Sequence, residues 1–214
     1  RSIWRLDLKR GEKTRVAEGM RPLASPDGAQ VAFTTDRTRG VSDIYVRTLG
    51  GEDRDELLVQ STENKVVTDW SADSRFLIFS SANPSTRWDL WRLPMQGLRR
   101  PEPFLASSFN EIQGQVSDSN RWMAYSSDET GACEVYIRAF PTAGYARAVS
   151  VGGGTEPHWR RDEREIFYLA PDRSLMAVSV TPTAVPQLGT PTRLFRLPII
   201  TRDRLNIAHY DVSA

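Results

Sequence analysis

A tetrad of turn residues recurs along this chain roughly every 45 residues. Ser25-Pro26-Asp27-Gly28, Ser71-Ala72-Asp73-Ser74, Ser117-Asp118-Ser119-Asn120 and Arg160-Arg161-Asp162-Glu163 align, and eight positions beyond the first residue of each stands an aromatic: Phe33, Phe79, Tyr125 and Tyr168. A fifth copy starts at Tyr210-Asp211-Val212-Ser213-Ala214. A period of this size marks an array in which each unit packs on its neighbours. Short strands at about 40–50 residues per unit define propeller blades.

The tetrad is turn chemistry. Pro presets φ for the first central position, Asp bonds back to the backbone, and Gly tolerates positive φ. Only the first copy keeps Ser-Pro-Asp-Gly. Ser74, Asn120 and Glu163 replace the glycine, so the sequence predicts less ideal or differently shaped turns there. Each unit begins with a strand ending just before its tetrad, at Ala24, Trp70, Val116, Trp159 and Val212. A second strand follows at Gln30–Thr34, Phe76–Ser80, Trp122–Ser126 and Glu165–Leu169, rich in the aromatic and β-branched residues that suit a half-buried pleated surface. Polar loops come next, holding Thr38-Arg39-Gly40, Asn83-Pro84-Ser85, Glu129-Thr130-Gly131 and the tighter Pro171-Asp172-Arg173.

The third strand reads acid, aliphatic, aromatic: Asp43-Ile44-Tyr45, Asp89-Leu90-Trp91 and Glu134-Val135-Tyr136, weakening to Ser174-Leu175-Met176. Ser2-Ile3-Trp4 is the same element of a partial unit. Fourth strands fall near Thr14–Ala17, Glu56–Val59, Pro103–Leu105, Ala146–Ser150 and Arg193–Phe195. No stretch shows apolar residues at i, i+3, i+4, i+7 over a helix length. The expectation is an all-β chain, one propeller fragment over residues 1–214. Its four-stranded antiparallel blades span about 20–60, 65–106, 112–150 and 155–197, with a split, incomplete fifth from 1–18 and 207–214. Unpaired strand edges in such an arc favour self-association.

The tetrad, the downstream aromatic and the acid–aliphatic–aromatic strand together resemble the TolB-like β-propeller repeat, a relative of the WD-type repeat, over nearly the whole chain. Ser126-Ser127-Asp128-Glu129-Thr130-Gly131 leading to Glu134-Val135-Tyr136-Ile137-Arg138-Ala139-Phe140-Pro141, then Gly152-Gly153-Gly154-Thr155-Glu156-Pro157-His158-Trp159, narrow the likeness. That succession is similar to the C-terminal propellers of many bacterial serine/threonine protein kinases. The resemblance implies a sensor or binding region outside the cytoplasm, and it brings no catalytic residues. Kinase motifs are absent, and so is the Gly-x-Ser-x-Gly elbow of the propeller-capped serine peptidases. The chain is therefore expected to be non-enzymatic, with a TolB-like periplasmic scaffold and a peptidase's substrate gate as alternatives.

Composition restricts the partners. Net charge is +1, from 28 basic and 27 acidic residues, and all but three of the basic ones (Lys9, Lys13, Lys65) are Arg. The arginines are scattered among acids, so no nucleic-acid footprint appears despite guanidinium's affinity for phosphate. No apolar run approaches the roughly 20 residues a membrane helix needs, and the N-terminus shows no charged–apolar–small leader. Cys133 is alone, which excludes an internal disulfide. No base accompanies it to make a thiolate.

His158 with Asp162 and Glu165 offers metal donors within eight residues, but Asp162 belongs to a turn where Asp27 and Asp73 cap backbone. No metal and no cofactor is expected. The acids Asp43, Asp89 and Glu134 recur once per unit and should hold loops; Trp4, Tyr45, Trp91 and Tyr136 should pack between units. What remains is the channel mouth, lined by loops entering each first strand. Arg21, Lys65, Glu111 and Glu156 are the candidate binding positions, and their mixed charge suits a protein segment, peptide or small polar ligand.

Overall fold

A computed structural model describes residues 1–37, 40–181, 183–198 and 210–212. The described residues contain β-strands and no helix. A two-stranded sheet pairs β1 (Ser2–Leu6) with β2 (Lys13–Glu18). The first four-stranded sheet runs β3 (Met20–Ala24), β4 (Gln30–Thr35), β5 (Asp43–Thr48), β6 (Asp55–Val59). The second runs β7 (Lys65–Trp70), β8 (Phe76–Asn83), β9 (Arg87–Pro94), β10 (Glu102–Leu105). The third runs β11 (Glu111–Val116), β12 (Trp122–Ser127), β13 (Glu134–Ala139), β14 (Ala146–Ala148). In the fourth, β15 (Thr155–Trp159), β16 (Glu165–Leu169) and β17 (Ser174–Thr181) follow the same path. There β17 takes two short partners, β18 (Gln187–Leu188) at one end and β19 (Thr192–Arg196) at the other. All pairings are antiparallel, and strand order within each sheet is chain order.

The tetrads close the hairpins between first and second strands. The Asp27 carboxylate accepts the Ser25 hydroxyl at 2.5 Å and the Ala29 N–H at 3.0 Å, while Gln30 N–H donates to Ser25 Oγ at 2.9 Å. Asp73 repeats this with Ser71 and Arg75. Where Asp is replaced by Ser119, the hydroxyl pair Ser117–Ser119 at 3.1 Å substitutes for it. The four turns share one shape, contrary to the expectation from glycine loss. Ser74, Asn120 and Glu163 take φ of 59°, 57° and 59°, beside 69° for Gly28. The 4→1 bond that closes each turn, such as Ser74 N–H to Ser71 O at 2.8 Å, is worth more than the strain of the left-handed position.

Alternation along each strand builds the core between successive sheets. Phe33, Phe79, Tyr125 and Tyr168 are all at most 1% exposed. Each pairs in register with the third-strand residue opposite: Tyr45, Trp91, Tyr136 and Met176. The three aromatic pairs stack at 6.1, 6.3 and 5.7 Å with interplanar angles of 19°, 20° and 26°. Each stack faces the preceding sheet. Phe79 packs with Ala32, Ile44 and Val46, Tyr125 with Ile78 and Leu90, and Tyr168 with Val135 and Ile137. Phe33 and Tyr45 lie on Ile3, Val16 and Ala17 of the two-stranded sheet. Trp4 departs from the pattern. It is 49% exposed, with the Lys13 ammonium 4.5 Å from its ring, because no described sheet precedes its own.

One further expectation changes. Residues 210–212 form no strand pairing: the Val212 N–H turns back onto the Asp211 carboxylate, and Tyr210 is held by its side chain instead. Thr38, Arg39, Ser213, Ala214 and the remainder of the expected 207–214 strand lie outside the described residues. No helix of the described residues is long and apolar enough to cross a membrane.

Candidate functional site

The first strand of each of the four larger sheets is irregular at the same place. Register shifts fall between Met20 and Leu23, Val67 and Asp69, Ile112 and Gln115, and Thr155 and His158. A bulge inserts an extra residue, bends the strand and re-aims side chains. Here it turns Arg21, Gln113 and Glu156 into the left-handed region, at φ of 54°, 59° and 57°. Such backbone strain collects where a side chain must be presented rather than packed.

The bulges converge on one cleft of about 300 Å³, lined by Arg21, Pro22, Leu23, Val67, Thr68, Gln113, Gln115, Glu156, Pro157 and His158. Hydrogen bonds between neighbouring first strands make its wall. Gln115 donates its amide to Thr68 O at 2.8 Å, and its own carbonyl accepts Trp159 Nε1–H at 3.1 Å. Gln113 Oε1 accepts the Glu156 N–H at 2.9 Å and the Ser126 hydroxyl at 3.0 Å. Asp69 accepts the Val116 N–H at 2.6 Å. A first strand has no ladder partner on its inner side, so side chains of the adjacent sheet meet its backbone groups instead. Pro22 and Pro157 fit that edge because they present no N–H to satisfy.

Tyr210 closes one flank. Its hydroxyl donates to Glu156 O at 2.6 Å, and its ring lies 4.6 Å from that of His158. Burial pushes the Tyr210 pKa up and the His158 pKa down, so both are neutral at pH 7. Burial also pushes Asp69 up to about 7 against the effect of its backbone bonds, with the nearby Asp118 charge adding to the rise. Thr68 lines the cleft, and its hydroxyl oxygen is buried beneath that surface without a hydrogen-bond partner among the described residues. A cation, an acid and two amides thus sit among apolar side chains, which suits recognition of a small polar group.

Of the four candidate residues, Arg21 and Glu156 line this cleft and Lys65 and Glu111 do not. They come from two different columns of the repeat. Arg21 and Glu156 stand four residues before the tetrad, at the bulge, in register with Val67 and Gln113. Lys65 and Glu111 stand six before it, where the strand is regular. Lys65 is 1% exposed and bonds Asp43 Oδ1 at 3.0 Å and Glu63 O at 2.6 Å. It borders a second, wider opening with Arg1, Trp4 and Trp88. Glu111 is buried against Ser107. The cleft residues Thr68, Gln115 and His158 were not singled out as binding positions. The signal was a polar or prolyl break in the alternation of each first strand: Arg21-Pro22, Gln113-Gly114, Glu156-Pro157.

The other repeat positions take structural places. Asp43 accepts the Ser61 N–H and Glu134 accepts the Gly153 N–H and the Ser150 hydroxyl, each fixing the loop that leads to the next sheet. Asp162 accepts the Arg164 N–H and pairs with Arg160, as Glu165 does, so neither reaches His158. Among the described residues no group of three or more His, Cys, Asp or Glu is placed to hold a metal ion.

The succession of antiparallel sheets is similar to that of TolB-type β-propeller structures. A TolB-type protein of Agrobacterium tumefaciens superposes with a TM-score of 0.72 at 18% identity, covering 91% of this chain and 73% of that one. TolB from Acinetobacter baumannii gives 0.69 at 16%, covering 90% and 51%. A prolyl endopeptidase structure gives 0.58 at 16%, covering 90% of this chain and 32% of that one. The chain thus spans about half of the Acinetobacter protein and a third of the peptidase. At these identities the likeness shows the fold. No family model and no curated protein matches the sequence.

Proposed function

We propose that this chain is a non-catalytic binding propeller of a larger protein, and that its central cleft takes a peptide, a protein segment or a small polar ligand. The observation that carries this is the convergence of four bulged first strands on one cleft, with the strained residues Arg21, Gln113 and Glu156 in its lining. Strain kept at matching positions of several repeats is a cost that packing alone does not require. In the reading favoured by the sequence, the parent is a bacterial serine/threonine kinase, the propeller lies outside the cytoplasm as its sensor, and the blades number four plus a split fifth. The prolyl endopeptidase likeness supports a second reading, a substrate-gating propeller.

The cleft is tested by selecting binders from a random peptide library on the wild-type chain. Binders are then measured against Arg21→Ala and the near-isosteric Thr68→Val. Loss of about tenfold or more in affinity in either, with folding unchanged, is the expected result. Binders indifferent to both substitutions would remove the cleft from the argument. The parent is tested by reading the intact coding region: kinase motifs upstream support the sensor, whereas a Gly-x-Ser-x-Gly downstream supports the gate.

A further inference from the structure

The seam between the second and third sheets is built differently from the one before it. By the repeat, Asp43 and Asp89 hold the same place on successive third strands, and Lys65 and Glu111 the same place on the first strands that follow. At the earlier seam the result is an ion pair, Lys65 Nζ 3.0 Å from Asp43 Oδ1, with both side chains 1% exposed. At the later seam β9 packs against β11, and a second carboxyl stands in the column that the ammonium occupied.

Neither acid escapes to water. Asp89 is 1% exposed and Glu111 4%. Asp89 Oδ2 accepts the Thr86 hydroxyl at 2.7 Å, while Oδ1 is buried with no hydrogen-bond partner among the described residues. Glu111 takes the hydroxyl and, at 3.4 Å, the backbone N–H of Ser107. The charges acting on the pair are negative: Glu63 on Asp89, and Asp89 with Glu129 on Glu111. Glu63 reaches from the loop before β7 and is bonded to the Ser81 hydroxyl. The cations on these strands are engaged elsewhere, Lys65 with Asp43, Arg87 with Asp128 and Arg92 with Glu102.

We propose that Asp89 and Glu111, in the column where Lys65 supplies positive charge one seam earlier, keep one proton between them at a pH where the unfolded chain has released it, and that losing this proton loosens the seam. Two buried carboxylates without a counter-cation repel, so the pair gives up its second proton reluctantly. A neutral carboxyl is also a donor, which gives Asp89 Oδ1 or its neighbour a hydrogen-bonding role that an ionised pair lacks. Burial raises both pKa values, in agreement. The folded state then retains a proton that the unfolded chain has released. Stability is therefore full below the ordinary carboxylate pKa of about 4 and falls as pH rises above it toward the folded value.

The test is urea unfolding of the intact chain from pH 4.5 to 8, wild type against Glu111→Lys, Glu111→Gln and Asp89→Asn. Glu111→Lys rebuilds the acid–ammonium pair of the earlier seam; the other two are near-isosteric and keep the fold if the lysine does not fit. Taking differences between profiles cancels groups common to all four proteins, Asp69 included. The wild type's unfolding constant should rise relative to each variant as pH climbs from 4.5, by about tenfold for each pH unit over which the folded pair keeps its proton. In an Asp69→Asn background, an infrared band of a protonated carboxyl at pH 5.5 that is lost on adding Asp89→Asn or Glu111→Gln reports the proton directly. Parallel profiles with no such band would overturn the proposal. So would restoration of the wild-type stability at pH 8 by calcium, which would make the missing charge a metal ion.

Discussion

Replacing Phe79 by Ala should remove about 4 kcal/mol of stability, whereas replacing Trp4 by Ala should remove less than about 1 kcal/mol. Phe79 is 1% exposed. It stacks on Trp91 at 6.3 Å within its own sheet and faces Ala32, Ile44 and Val46 of the sheet before it. Truncation opens a cavity between two strands' worth of fixed backbone, and neither sheet can collapse into it without breaking a ladder. Fully buried Phe→Ala changes of this kind cost about 3–5 kcal/mol, and the lost ring pair places the value in the upper part of that range. At about 1.4 kcal/mol per factor of ten, roughly 4 kcal/mol lowers the folded-to-unfolded ratio by nearly a thousandfold. Trp4 occupies the same column as Trp91 but is half exposed, and its visible partner is the Lys13 ammonium. Urea unfolding followed by far-UV circular dichroism measures both variants, with an unchanged slope confirming that the same surface unfolds. A loss below about 1 kcal/mol for Phe79→Ala would refute the placement of the aromatic column between sheets. Equal losses for the two variants would refute the distinction drawn between their positions.

Lys65→Ala leaves Asp43 charged and buried and should cost about 3–5 kcal/mol, while Lys65→Met combined with Asp43→Leu should recover most of it; a double-mutant cycle in urea decides, and additivity would argue that the pair does not interact. Ser74→Gly relieves a left-handed non-glycine residue and should stabilise by about 0.5–1 kcal/mol after the entropy of the added glycine is set against it, read as a rise in Tm. Asp69→Asn should flatten another part of the pH profile. Its folded pKa of about 7 lies above the ordinary 3.8, so the native state resists ionisation, and stability falls as pH rises from about 4 to 7. That span corresponds to about 4 kcal/mol, and the amide oxygen still accepts the Val116 N–H, so the variant should gain on the wild type at pH 8 and not at pH 4.

The sheets were legible because the repeat writes its own punctuation. Turn residues at a fixed distance before an aromatic determine where one strand ends, where the next begins and which of its faces is buried. Third strands came out at Asp43, Asp89 and Glu134 because an acid, an aliphatic and an aromatic in sequence alternate in direction as a strand requires. The turns were misjudged for a reason of energy scale. Loss of glycine costs about 1–2 kcal/mol at a left-handed residue, too little to reshape a hairpin whose two strands are already fixed by burial on both faces. Glu163 even uses the position, accepting the Ser119 N–H and hydroxyl of the preceding sheet's turn. Trp4 and Val212 were misjudged because a repeat match assigns a role that only a neighbour can fulfil. An aromatic column packs where a sheet stands before it, and a first strand pairs where a second strand follows.

The cleft was half legible for a related reason. Position at the entry to each first strand selected Arg21, Lys65, Glu111 and Glu156 alike, yet a strand sends residues two apart to the same face only while it stays regular. The bulge breaks that rule between the two columns. Residues six before the tetrad remain in the seams, where Lys65 neutralises Asp43 and Glu111 meets Asp89. Residues four before it are lifted toward the cleft. A charged residue in this fold is thus assigned by its column, not by its charge: the seam column sets how firmly one sheet holds the next, and the bulge column sets what the cleft can recognise. Substitutions in the first column should therefore change unfolding and its pH dependence while leaving ligand selection alone, and substitutions in the second should do the reverse. A seam variant that altered binding without altering stability would show that the two columns are coupled through the inner strands they share.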